Sequence, residues 1–438
     1  MKMGIGQTSL NVLHVTPLYE PACPGGSVTS TVDLCRSLVQ LGHRVTVYTT
    51  NSDGCRSMAV PVNQAVDTGG VEVYYFRTPM PGKTQYSPAL DHACRRSLGG
   101  FDIVHIAFAW DCPGAAAARE ADRAGVPYVI SLHGTLIPTA LSSSRIRKWL
   151  YLKTFGERII RRAAAIHYTS LLERGKTQGV GIQKPNFVIP NGVDFSGLAD
   201  GVSRTEARKK LQLQTGDFVV GFLGRLHWIK AMNVLITAVN HVVRDGHHTV
   251  RLLLAGPDDG AESQLRQLVD EMGLVKHVRF LGPVHGERKA RFLSALDVLA
   301  LVSWTENFGN VAVEAMAAGV PVLVSENAGI CDDVAQTDSG WVVPVDAEAI
   351  AATLMQIMWA PEERQEHGQN AERCAFDRFE RGRVASLMAT AYQDILNGTR
   401  SAECMWDSRG LLALGDHRPG SYQGRGADSM KGCINGKG

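Results

Sequence analysis

The chain reads as an α/β protein built from two Rossmann-like domains that face each other across a cleft. Three observations predict this. Short apolar runs alternate with helical patterns along most of the chain. Those runs are near-continuously apolar, as strands covered on both faces of a parallel sheet must be. The alternation pauses at Pro190-Asn191-Gly192-Val193-Asp194, a turn-forming group, and then begins again. At 438 residues the chain is also too long for one comfortable core and suits two domains of roughly 200 residues each.

Asn11 to Thr16 is the first predicted strand. A loop rich in proline and glycine (Pro17, Pro21, Pro24, Gly25, Gly26) leads into a helix from about Ser27 to Leu41, closed by Gly42. Strands follow at His43 to Thr50, Val71 to Phe76 and Asp102 to Phe108, and a helix of alanines (Gly114 to Ala124) precedes one at Pro127 to Leu132. A long helical stretch, Ser142 to Arg162, leads to strands at Ala165 to Tyr168 and Phe187 to Ile189. In the second half, strands are expected at Phe218 to Leu223, Arg251 to Ala255, Val278 to Leu281, Val298 to Val302, Val320 to Ser325 and Trp341 to Val343. The intervening helices are Asn233 to Asp245, Ala261 to Met272, Gly286 to Ser294 and one from Asn310 to Gly319; Asp346 to Trp359 and Pro361 to about Leu396 complete the pattern. The expected division is 1–190, 191–380, a helix 381–398 packing back on the first domain, and a glycine-rich, weakly patterned tail, 399–438, read as disordered.

Composition excludes several classes. With 45% hydrophobic and 20% charged residues and a net charge of +2, nothing is collagenous or disordered overall. Nine cysteines, no two closer than twelve residues, offer no zinc or redox motif, and a reducing cytosol is the simplest reading. No apolar signal segment and no run of ~18 apolar residues is visible, so export by these signals and a membrane span are not expected. Charge is uneven: residues 1–194 carry 20 Lys and Arg against 13 Asp and Glu, the remainder 25 against 30. A basic first half suits an acidic partner or a membrane surface, and equally an ordinary variation between surfaces.

The stretch Ser303 to Val322 concentrates the chemistry. A strand empties into a polar loop holding Glu306, and a helix begins near Asn310 with Glu314 about one turn in. A helix start presents free N–H groups and partial positive charge, a natural seat for phosphate. Carboxylates beside it suggest a polyhydroxylated group attached to that phosphate. Gly224-Arg225, with Lys230 five residues on, supplies a second phosphate theme at the end of another strand. Gly25-Gly26 is a weaker cradle, lacking the spacing of dinucleotide binders. His133-Gly134 follows a strand at the edge where a cleft would lie. His105 reads as packed or cleft-lining, His247-His248 as surface, and Asp258-Asp259 and Asp332-Asp333 as solvated turn acids rather than metal ligands.

Taken in order, Gly25-Gly26, His133-Gly134, Pro190-Asn191-Gly192-Val193-Asp194, Gly224-Arg225-Leu226 with Lys230, Leu254-Ala255-Gly256, Phe280-Leu281-Gly282 and Glu306-Asn307-Phe308-Gly309 with Glu314 resemble the group 1 (family 4) retaining glycosyltransferases of GT-B fold. The match spans about residues 10 to 396. The resemblance implies a nucleotide diphosphate sugar donor held mainly by the second domain and a saccharide or glycolipid acceptor held mainly by the first. Glu314 would hold the ribose hydroxyls, Glu306 the donor sugar, with the Asn307, Phe308 and Gly309 backbone assisting. Arg225 and Lys230 would hold the diphosphate, Gly25 and Gly26 would approach it from the other domain, and His133 would lie near the reacting carbon. It implies no metal and no cofactor, retention by front-face attack, a cytoplasmic setting and, from family habit, surface polysaccharide assembly. Two departures stand out: Ala231 replaces the glycine that commonly follows the lysine, and the loop Asn327 to Asp332 lacks the usual Gly-Gly and Pro-Glu elements. An epimerase or hydrolase of the same fold, or a non-catalytic donor-binding scaffold, would share these motifs.

Arg145 to Arg162 holds seven cations against Glu157, with Trp149, Leu150, Tyr151 and Phe155 interleaved. It reads as a solvated helix with inward aromatics, or as a peripheral contact with an anionic membrane. No nucleic-acid module is visible, so nucleic acid is not an expected partner.

Overall fold

A computed structural model describes residues 9–22, 25–54, 56–79, 85–108, 111–137, 156–177, 182, 184–198, 202–398, 405–406 and 412–413. Most of the stretch 145–162 singled out above, and most of the tail, therefore lie outside the described residues.

The first sheet comprises β1 (Asn11–Val15), β2 (Arg44–Thr50), β3 (Ala65–Asp67), β4 (Glu72–Phe76), β5 (Ile103–Ala107), β6 (Tyr128–Ser131), β7 (Ala165–Tyr168) and β8 (Asn186–Val188), in the spatial order 3-4-2-1-5-6-7-8. All pairings are parallel except β3 with β4, an antiparallel edge that the apolar pattern did not signal. The helices are α1 (Gly26–Gln40), α2 (Pro88–Ser97), α3 (Cys112–Ala124), α4 (Glu157–Arg162) and α5 (Leu171–Thr177). After α6 (Arg204–Lys210), the second sheet comprises β9 (Phe218–Leu223), β10 (Val250–Ala255), β11 (Val278–Gly282), β12 (Val298–Leu301), β13 (Val322–Ser325) and β14 (Gly340–Val343), all parallel, in the order 11-10-9-12-13-14. Around it lie α7 (Met232–Arg244), α8 (Glu262–Glu271), α9 (Glu287–Ala295), α10 (Asn310–Ala317), α11 (Cys331–Gln336), α12 (Ala347–Trp359) and α13 (Pro361–Cys374), and α14 (Arg381–Leu396) follows. Met405–Trp406 pairs antiparallel with Leu412–Ala413. No described helix is long and apolar enough to cross a membrane.

Alternate strand residues feed opposite faces, and both faces are covered, which is why the strands are largely apolar on both sides. Phe218, Val220 and Phe222 pack with α7, while Val219 and Leu223 join the core on the α9 and α10 side. In both sheets the chain reverses its winding direction once, between β1 and β5 and between β9 and β12. Such switch points open a crevice at the carboxyl ends of the strands. The loops leaving β1, β9 and β12 carry Gly25-Gly26, Arg225 with Lys230, and Glu306.

The expected single helix from Pro361 to Leu396 is instead two. A π-helical segment, Ala375–Phe379, follows α13, and Glu380 turns extended (φ −60, ψ 129). Its carboxylate then caps α14, accepting from Gly382 N and Arg383 N at 2.9 Å each. The reason is tertiary. Val193 N donates to Phe379 O at 2.9 Å and Arg381 N to Val193 O at 3.3 Å, so the two crossings between the halves run side by side. Arg381 also pairs with Asp194 at 2.5 Å. Beyond this point Val384, Ala385, Met388, Ala389 and Tyr392 of α14 share a core with Val12, Cys35 and Leu38.

Candidate active site

The second sheet supplies three of the site's loops. Lys230 ends a short 3-10 turn, Trp228–Lys230, in which the His227 ring accepts from Ile229 N at 3.3 Å. Its ammonium forms an ion pair with the Glu306 carboxylate; both side chains are largely buried. Ala231, next in sequence, has φ 50 and ψ 32, the left-handed region. That is why glycine suits this position, and alanine bears the strain instead.

Glu306 precedes α10, whose N-cap, Gly309, contributes no side-chain hydrogen bond; Ala312 N donates to Gly309 O at 2.9 Å, and the N–H groups of Asn310 and Val311 stay available. The carbonyls of Glu306 and Phe308 are taken by Gly329 N and Ile330 N, each at 3.0 Å. A Cβ on Gly329 would come 2.0 Å from the Asn307 carbonyl oxygen, so only glycine allows this packing. Backbone help from Asn307 to Gly309 is therefore left to N–H groups.

Glu314, on α10, accepts from Lys289 Nζ of α9 at 2.9 Å. Sequence reasoning missed Lys289. It sits in an ordinary charged helix pattern 25 residues from Glu314, and only the packing of α9 brings the two together. Arg225, by contrast, pairs with Asp259 and is 60% exposed, so Asp259 is no plain solvated acid. Asp258 Oδ1 accepts from Gly260, Ala261 and Glu262 N, each at 3.0 Å. Asp333 is likewise not a free turn acid: it accepts from Arg378 at 2.7 Å, and burial raises its pKa.

The first sheet meets these loops directly. Asn310, first residue of α10, donates through Nδ2 to Gly26 O (3.1 Å) and Ser30 Oγ (2.8 Å), and its Oδ1 accepts from Asn191 Nδ2 at 3.0 Å. The start of α1 thus lies against the start of α10. Asn307 Nδ2 donates to Thr169 Oγ1 at 2.9 Å, and Lys176 Nζ to Asn327 Oδ1 at 3.3 Å. Gly134 (φ 74) leaves no room for a Cβ, which would fall 2.8 Å from Asn307 Oδ1; its N–H donates to Glu173 Oε1 at 2.5 Å.

His133 stands beside them, its ring 5.1 Å from that of Phe108. Burial, then the neighbouring His167 and His14, pushes its pKa down to about 3, so the ring is neutral. His105 is indeed packed, in a hydrogen-bonded chain of one fixed polarity. Ile189 offers a carbonyl, so His167 Nε2 must donate to it (2.8 Å), leaving Nδ1 to accept from Ser131 (2.6 Å). Ser131 Oγ then accepts from His105 Nε2 (2.5 Å), and His105 Nδ1 accepts from the Tyr392 hydroxyl of α14 (2.5 Å). A cavity of about 20 Å³, enough for one water, adjoins His14, His105, His133, His167 and Asn191. Among the described residues no cluster of three or more His, Cys, Asp or Glu could hold a metal ion.

Two facing doubly wound sheets with cations, carboxylates and two helix starts gathered at their strand ends define a group-transfer enzyme of the GT-B architecture. Residues 24–196 match the model described as Glycosyltransferase Family 4, and residues 203–373 that described as Glycosyl transferases group 1. The chain belongs to the group 1 (family 4) glycosyltransferases. It is 26% identical over 407 residues to a D-inositol 3-phosphate glycosyltransferase of Jonesia denitrificans, covering 87% of this chain and 94% of that one. It is 25% identical over 400 residues to an uncharacterized glycosyltransferase of Methanocaldococcus jannaschii, covering 88% and 98%. In fold it is similar to the sucrose-phosphate synthase of Thermosynechococcus elongatus (TM-score 0.72, 20% identity, 89% and 100% covered). It is also similar to HepE of Anabaena, solved with UDP and glucose (TM-score 0.68, 21% identity, 88% and 99% covered).

Proposed function

We propose that this glycosyltransferase moves a sugar from a nucleoside diphosphate sugar, with retention and without a metal, to a saccharide or lipid-linked saccharide in surface polysaccharide assembly. The observation that carries the reading is the gathering of Lys230, Glu306 and Glu314 around the open start of α10, with the start of α1 opposite. The diphosphate would lie between the two helix starts, where N–H groups, Lys230 and Arg225 meet its charge as the glycosidic bond breaks. Releasing Arg225 from an exposed pair with Asp259 costs little. Glu306 would turn toward the sugar hydroxyls once phosphate engages Lys230. There it would accept from those hydroxyls and orient the sugar, with front-face attack and the leaving phosphate taking the acceptor's proton. Neutral His133 would donate to, or accept from, the transferred sugar. UDP- and UDP-glucose-bound HepE supports a nucleotide-sugar donor.

The test is turnover of UDP-, GDP- and ADP-sugars in EDTA with saccharide and glycolipid acceptors, the product anomer read by NMR. Transfer with inversion, or turnover that needs no acceptor, counts against the proposal; the second outcome would indicate a hydrolase or epimerase. We place the enzyme on the cytoplasmic side, in contact with anionic lipid. On α4, Arg158, Arg161 and Arg162 are 77%, 72% and 61% exposed, with ion pairs among the described residues to Asp122 and Glu157. Flotation with anionic liposomes at low salt is expected, and none with neutral ones.

A further inference from the structure

We propose that Lys289 and Glu314 act as a joint reader of the donor's ribose, so that the enzyme selects nucleotides with an intact 2′,3′-diol. This rests on the reading of Glu314 as the carboxylate at the ribose. A carboxylate only accepts hydrogen bonds, so a hydroxyl facing Glu314 alone could donate but would find no donor for its own lone pairs. Lys289 changes that. Its ammonium lies 2.9 Å from Glu314 Oε1 and keeps two further N–H donors, while Glu314 Oε2 takes no other partner among the described residues. A hydroxyl that donates to Glu314 can then accept from Lys289, and a cis-diol offers two such hydroxyls. The side chains are 27% and 13% exposed, shielded enough for charge-assisted bonds to count. Sites built around a substrate hydroxyl reject the analogue without it, because their own polar groups lose their partners. Lys289 is thus a specificity residue acting on the sugar of the nucleotide and indifferent to its base.

Calorimetric binding of UDP, GDP and ADP, each beside its 2′-deoxy counterpart, to the full chain tests this. Whichever nucleotide the wild type binds most tightly should bind roughly 10–100-fold more weakly in its deoxy form. In Lys289→Ala the gap should shrink to within about 3-fold, with Lys289→Met confirming it on a stem of similar length and Lys289→Arg restoring part of it. An unchanged gap in both Ala and Met variants, each showing wild-type circular dichroism, overturns the role of Lys289. If Glu314→Ala leaves affinity for every nucleotide unchanged, the placement of the ribose itself is wrong. If Glu314→Ala weakens binding while Lys289→Ala keeps the gap, only the joint reading falls.

Discussion

The ammonium of Lys230 is paired with the carboxylate of Glu306, joining the loop after β9 to the loop after β12. Each residue therefore holds the other's charge in a largely buried place, ready to be shared with a ligand carrying both phosphate and hydroxyls. Lys230→Ala and Glu306→Gln should each lower kcat/KM by roughly 10²–10³-fold. The double variant should lose less than the product of the two. Near-wild-type steady-state rates in either single variant would refute the assignment, provided circular dichroism shows an intact fold.

Ala231 offers a test in the opposite direction. Its left-handed backbone costs about 1–2 kcal/mol that glycine would not incur, partly offset by glycine's freer unfolded chain. Ala231→Gly should raise stability by about 1 kcal/mol, seen as a higher denaturant midpoint at constant slope. A lower midpoint would mean that the alanine methyl's packing outweighs the strain.

Acid should destabilise the protein. Burial depresses His14 and His133 to about 3, His167 to about 4, and His105 well below its usual value. Folded-state values lie below the unfolded 6.5, so the unfolded chain binds more protons once pH drops beneath that value. Stability is complete above about pH 6.5 and is lost as pH falls toward about 4, by about 1.4 kcal/mol per pH unit for each histidine. Burial raises Asp33 to about 6 and Asp111 to about 7, and these carboxyls take up protons in the folded state over the same range, offsetting up to two of the four. Denaturation curves from about pH 7 to about pH 4.5 should therefore show stability falling with acid by a net slope of roughly one to two protons. Stability that rises with acid across this range would contradict the buried, neutral state of these rings.

Tyr392→Phe removes the first donor of the histidine chain and strands His105 Nδ1. A loss of about 1–3 kcal/mol is expected. Nitrogen NMR should meanwhile find His167 protonated at Nε2 and His105 at Nε2, as the polarity requires; the opposite tautomers would break the scheme.

Most strands were legible because both faces of each sheet are covered, and that burial demands a short, continuous apolar run between turn residues. Glu306 and Glu314 were legible as carboxylates beside a helix start, and Lys230 as a cation in the loop after another strand. Their pairing was not, since Lys289 reaches Glu314 only through helix packing. The break at Glu380 carries no glycine or proline; contact with Val193 forces it against local preference. The histidine chain was half visible, as lone polar residues inside apolar strands. Its partner Tyr392 lies 287 positions from His105, beyond any local pattern.

That distance bears on how the protein is made. The core of the first sheet includes Val384, Met388 and Tyr392. Its earliest strands leave the ribosome long before the helix that finishes their packing, at a pace of about 5–20 residues per second. For that interval Val12, Cys35 and Leu38 lack their last neighbours. Synthesis from the front thus yields first a half that must wait and then a half that can close on itself, so the second sheet is expected to reach its native packing before the first does.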